Sequence, residues 1–143
     1  MRPAKALSVP TILIIEDDKD TREMLSFFLR RNGFEVLEAG DGVEGLLKAN
    51  GKCPDLIITD LTLPSMDGIE AARRIHRTPK LAGTPIFVLS SYLTSEVEEE
   101  VRSAGCSAAF SKPFDPDTLL EKINATLAVD RATPGLSTDF WAT

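Results

Sequence analysis

Three short apolar runs punctuate the chain: ILII at 12–15, LIIT at 56–59 and IFVL at 86–89. Runs apolar on nearly successive positions mark strands buried on both faces of a sheet. Between them the periodicity turns helical. Residues 20–33 set Met24, Leu25, Phe28 and Leu29 on one stripe, with Asp20 and Glu23 as a capping pair and Asn32-Gly33 as the stop. FEVLEA (34–39) reads as a strand, and 41–51 as a short helix closed by Gly51. DLIITD (55–60) is the next strand, followed by a helix from Met66 to Arg77 with Ile69, Ala72 and Ile75 inward. PIFVLS (85–90) begins at a proline, where no ladder donor is needed. The segment 95–105 is a helix capped by Ser95 with Glu98 and ended at Gly105, and SAAFS (107–111) is a weaker fifth strand. Asp115 and Pro116 open a last helix with Leu119, Leu120, Ile123 and Leu127 inward. Five strands alternating with five helices predict an α/β sandwich around a parallel sheet.

At 143 residues the chain fits one domain. The pattern assigns 11–129 to that domain, 1–10 to an N-terminal extension and 130–143 to a flexible tail carrying Phe140 and Trp141. A net charge of −6 argues against a nucleic-acid groove, whose phosphates need Lys and Arg. No apolar run approaches the ~20 residues that span a membrane, so no membrane partner is expected. Glu16 cuts ILII short of a signal-peptide core, which predicts a cytoplasmic protein. Cys53 and Cys106 have no partners at metal-ligand spacing and read as reduced, part-buried thiols. His76 is the only histidine, which excludes a His-based metal site or triad. On its amphipathic helix it reads as an exposed residue.

The first apolar run drives into Glu16, Asp17 and Asp18. Ligands of parallel α/β sheets bind beyond the carboxyl ends of the strands. The first strand ends at Glu16-Asp17, another at Asp60, the next at Ser90 and the last at Lys112-Pro113, so four separate segments deliver polar groups to one rim. Crowded carboxylates repel unless cations sit among them. Lys112 supplies one cation. A hard divalent ion such as Mg²⁺, which prefers oxygen ligands, suits the acids. Asp60 as nucleophile, a metal, an ammonium and a hydroxyl form a set suited to a phosphoryl group.

IIEDD, DLTLPSMDG, VLSS and SKPF, in this order, resemble the receiver domain of two-component response regulators. The resemblance covers residues 11 to about 129 and implies a doubly wound, flavodoxin-like sheet of order 2-1-3-4-5. Chemotaxis receivers are themselves examples of that order. It further implies that Asp60 is the phosphoacceptor, that Asp17 ligates Mg²⁺ directly, and that Glu16 acts through a metal-bound water. The carbonyl of Thr62 would be another ligand. Ser90 would be the switch hydroxyl and Lys112 the phosphate-contacting lysine, with a cis bond before Pro113. Pro64 and Gly68 match the loop after the phosphoacceptor. Thr62 and Tyr92 match positions that tune the lifetime of the phosphoryl group, with the Tyr92 ring expected to shield it from water. Asp18 would face solvent near the helix start.

The sequence departs from the family where an aromatic normally stands three residues before the lysine. Ala109 holds that place. Phe110 follows, but one step along a strand reverses the facing. The expected function is a switch phosphorylated by a sensor histidine kinase or a histidine phosphotransfer protein. With no output domain after residue 143, the expected output is a protein target or another phosphorelay member. The alternative is a Mg²⁺-dependent phosphohydrolase working through an aspartyl-phosphate. Such enzymes carry an acid two residues past the nucleophile, where this chain has Thr62.

Overall fold

The computed structural model describes residues 9–132, the side chains of 129–132 excepted. Phe140 and Trp141 lie outside the described residues, as does most of the N-terminal extension. Five strands form one sheet: β1 (Thr11–Ile15), β2 (Glu35–Ala39), β3 (Leu56–Asp60), β4 (Ile86–Ser90) and β5 (Ala108–Ser111). Every neighbouring pair is parallel and the order is β2-β1-β3-β4-β5. The helices α1 (Lys19–Arg31), α2 (Gly42–Lys52), α3 (Gly68–Arg77), α4 (Ser95–Ser103) and α5 (Pro116–Ala132) alternate with them. The parallel sheet between two helix layers is what the pattern predicts, and its doubly wound order is the one the family resemblance implies. Among the described residues, no helix is long and apolar enough to cross a membrane.

Strand alternation splits the apolar runs between two layers. Ile12, Ile14, Leu56, Ile58, Phe87 and Leu89 pack under α1 and α5 against Leu25, Leu29, Leu119, Ile123 and Leu127. Leu13, Ile15, Ile57, Ile86 and Val88 pack under α2, α3 and α4 against Ala49, Ala72, Ile75 and Val101. Ala109 lies against this second layer and Phe110 against the first, where its ring meets that of Phe87 at 5.4 Å between centroids. Phe110 therefore does not replace the ring missing at 109.

Several local expectations need correction. The N-cap of α1 is Asp18, whose carboxylate accepts from the Thr21 amide at 2.9 Å, rather than Asp20. Met24 is exposed and Ser26 is buried in its stead, donating to Glu38 at 3.0 Å. Gly51 lies inside α2, which is closed instead by Cys53 in a left-handed conformation, φ 47°. Helix α3 starts at Gly68, capped by Asp67, rather than at Met66. Thr94, not Ser95, caps α4. Helix α5 runs to Ala132, past the boundary drawn at 129. His76 is half-buried: its ring nitrogens lie 3.3 and 3.2 Å from the carbonyl oxygens of Ala104 and Thr84, tying α3 to the end of α4 and to the segment just before β4.

Candidate functional site

The carboxyl edge of the sheet gathers the charged residues. Glu16 leaves β1 with its amide donating to the Ala39 carbonyl at 3.0 Å, which keeps it buried at the edge, and Asp17 follows exposed. Asp60 is the last residue of β3, in register with Leu89, so Ser90 stands one step beyond it on β4. The carboxylates of Glu16, Asp17 and Asp60 offer oxygens that all lie within 4.8 Å of one another. Lys112, just past β5, enters this cluster: its Nζ donates to Glu16 Oε1 at 2.9 Å and pairs with Asp60 Oδ1 at 3.1 Å. The Lys112-Pro113 peptide is cis.

Electrostatics follow from burial. Desolvation pushes the Asp60 carboxyl above its ordinary range, against the pull of the Lys112 hydrogen bond and charge. Glu16 is raised for the same reason, with the Asp60 charge adding to the rise and Lys112 opposing it. Burial works against the Lys112 ammonium too, but its hydrogen bonds to Glu16 and Asp60 win and hold its pKa above the usual lysine value. Three carboxylates thus face one ammonium, an uncompensated acidity that an oxygen-seeking divalent cation fits. Glu16, Asp17 and Asp60 are the side chains that could hold such an ion.

The other expected site residues occupy the rim in different ways. Ser90 is buried, and its Oγ accepts from the Tyr92 amide at 3.0 Å. Tyr92 itself is 80% exposed. Thr62 and Pro64 lie exposed on the loop after β3. Gly68 is buried with its backbone against that loop, its amide donating to the Leu61 carbonyl at 2.9 Å. A Cβ at 68 would stand 2.3 Å from the Asp60 carbonyl oxygen, so only glycine fits. Asp18 is exposed as expected, and the Thr21 hydrogen bonds hold its carboxyl below its ordinary value.

One supporting residue escaped the sequence reading. Arg22 donates from Nη1 to the Glu16 backbone carbonyl at 2.8 Å and from Nε to Glu38 at 3.2 Å, bracing the end of β1 against β2. Its signal was faint: an arginine on the first turn of a helix that starts beside an acidic pair.

A family model of the response regulator receiver domain matches residues 12–124. The chain belongs to that family. Among its relatives, the transcriptional regulatory protein PdtaR of Mycobacterium tuberculosis is 40% identical over 121 residues, 84% of this chain and 57% of PdtaR. The transcriptional regulator RpaA of Synechocystis is 32% identical over 121 residues, 83% of this chain and 49% of RpaA. The receiver thus spans about half the length of these regulators. Among solved structures, the chemotaxis response regulator CheY4 of Vibrio cholerae superposes with a TM-score of 0.78 at 32% identity, covering 82% of this chain and 98% of that one. A receiver domain protein from Methanospirillum hungatei gives 0.82 at 31%, covering 90% and 100%.

Proposed function

We propose that this receiver accepts a phosphoryl group on Asp60 from a histidine kinase or a histidine phosphotransfer protein, and that the change controls binding to a downstream protein in the cytoplasm. The observation that carries the reading is the bridge of Lys112 to both Glu16 and Asp60, inside the carboxylate cluster. Mg²⁺, held by Glu16, Asp17 and Asp60 with the Thr62 carbonyl, would supply charge neutralisation for the incoming phosphoryl oxygens. The protein's own part is to present one Asp60 oxygen as nucleophile in line with the donor's phosphorus–nitrogen bond. That bond breaks with its electron pair to the donor imidazole, as an oxygen–phosphorus bond forms. Lys112 would then release Asp60 and turn to the new phosphoryl oxygens, while Glu16 keeps it at the rim. Ser90 donates its hydroxyl to the phosphoryl group, and the loop held through the Tyr92 amide follows it.

A phosphohydrolase reading lacks support, because Thr62 offers no acid where that chemistry needs one. Incubation with Mg²⁺ and acetyl phosphate, followed by intact mass measurement, tests the proposal. A single phosphoryl adduct is expected, lost in Asp60→Asn and in metal-free buffer. An adduct of full yield in either case would refute the assignment.

A further inference from the structure

Beside the acidic cluster, the loop after β3 and the inner flank of α4 enclose a cavity of about 380 Å³ that opens to solvent. That volume is within the range of ligand sites and accommodates roughly one or two side chains. Its floor is apolar: Leu61, Leu63, Ile69 and Val97 line it. Leu61, Ile69 and Val97 are the half-buried fringe of the core layer under α2, α3 and α4, so here the core reaches the surface uncovered. Its rim is acidic. Asp67 and Glu100 line the opening, both exposed, and no basic side chain lines it. Among the described residues neither makes an ion pair, in contrast to Glu98 and Glu99, which pair with Arg102, and Glu70, which pairs with Arg74. Asp67 commits Oδ1 to capping α3 at the Glu70 amide, 2.9 Å away. Glu96, one turn before Glu100 on α4, adds another exposed charge to this side.

An apolar floor under an acidic rim selects its occupant. An anionic ligand is repelled, and a small hydrophilic cation would leave the floor wet. Lysine and arginine side chains match both parts, since their methylene stems cover apolar surface while their heads seek carboxylates. We propose that this groove is a docking site for a cationic segment of a partner protein, with one aliphatic residue seated on Leu61, Ile69 and Val97 and flanking arginines or lysines facing Asp67 and Glu100. The claim does not depend on phosphoryl transfer to Asp60.

The test uses the full chain and a blocked six-residue peptide carrying leucine between two arginines, with a counterpart in which glutamates replace the arginines. Amide chemical shifts are followed during titration. The cationic peptide should move Leu61 to Ile69 and Val97 to Glu100, with an effect that weakens as salt rises, and the acidic peptide should move neither. The double variant Asp67→Asn/Glu100→Gln should bind about five-fold more weakly, as loss of two rim charges implies. Asparagine remains a good cap, so α3 stays formed. The proposal is overturned by shifts that map elsewhere or are absent at millimolar peptide, by equal response to both peptides, or by undiminished affinity in the double variant. Groove shifts that depend instead on the concentration of the chain alone would assign it to a second copy, and the partner segment would be wrong.

Discussion

The two faces of the sheet are built from different material. Under α1 and α5, large side chains fill the layer: Phe34, Phe87, Phe110 and Phe114 join the leucines of both helices. Under α2, α3 and α4 the described residues of the layer include no phenylalanine, tyrosine or tryptophan, and Ala39, Ala49, Ala72, Ala104, Cys106 and Ala109 stand among its aliphatic side chains. Helix anchoring differs likewise. Helix α1 buries Leu25, Ser26 and Leu29, whereas α4 buries only Val101. Small residues allow close approach but supply little area, so the second face holds its last helix by a single side chain and a fringe. The open groove lies on that face. One face is thereby filled by bulky side chains, while the other leaves part of its core fringe open at the groove.

Neighbouring alanines on β5 offer the sharpest way to break this contrast. Ala108 is 1% exposed on the aromatic face, and Ala109 is half-buried on the other. Ala108→Phe should cost about 3 kcal/mol by overpacking, and Ala109→Phe about 1 kcal/mol or less. Urea denaturation of both variants measures the difference. Equal losses would mean that the two faces are packed alike.

A second test weighs the rim against the core. Burial raises the Asp60 carboxyl above its value in the unfolded chain. Its protonated form therefore contributes stability that is complete below the unfolded value and lost as pH rises through the folded one. Asp60→Asn, permanently neutral, escapes that loss. Without metal it should be more stable than the parent at neutral pH by about 1 kcal/mol, the scale typical of relieving a functional site. The gap should close as pH falls below the carboxylate range. Thermal melts across pH decide it; a gap that is constant with pH, or a destabilised variant, would contradict the account.

The smallest expected effects concern the β4–α4 loop. Because Ala109 offers no ring to follow Ser90, the proposed switch would place its adjustment near Tyr92, whose amide is tied to the Ser90 hydroxyl. Beryllofluoride with Mg²⁺ should shift amides from 91 to 105, while Phe87 and the α5 leucines stay still. Shifts confined to Glu16, Asp60 and Lys112 would show that the open face does not respond. Tyr92→Ala should shorten the lifetime of the phosphorylated form, by about two-fold. A longer or unaltered lifetime argues against shielding by this exposed ring.

The strands were legible to within a residue because runs such as ILII and IFVL are buried on both sides, and burial writes itself directly into composition. The gathering of Glu16, Asp17, Asp60 and Lys112 at the rim was legible for the same reason: once a strand is placed, topology dictates which residues reach that edge. Helix starts were less so. Asp18 and Asp20, and Thr94 and Ser95, are all competent caps, and the choice rests on where the backbone turns helical rather than on residue type. His76 was misread because two carbonyls from distant segments give it a home that its own helix does not advertise. Arg22 and the groove are tertiary facts. Nothing in Leu61 or Val97 alone says that the core stays uncovered between them.

The glycine contacts around the β3–α3 loop have a mechanical consequence. A Cβ at Gly42 would sit 2.1 Å from the Met66 carbonyl oxygen, and one at Gly68 would sit 2.3 Å from that of Asp60. The loop is therefore seated at both ends on bare backbone, like a shaft held between two bearings with no shim. Such close backbone packing leaves little room between the end of β3 and the start of α3, where Asp67 stands. A methyl group at 68 would act as the missing shim: it would lift α3 off the strand end and re-space the acidic rim without touching any charged atom.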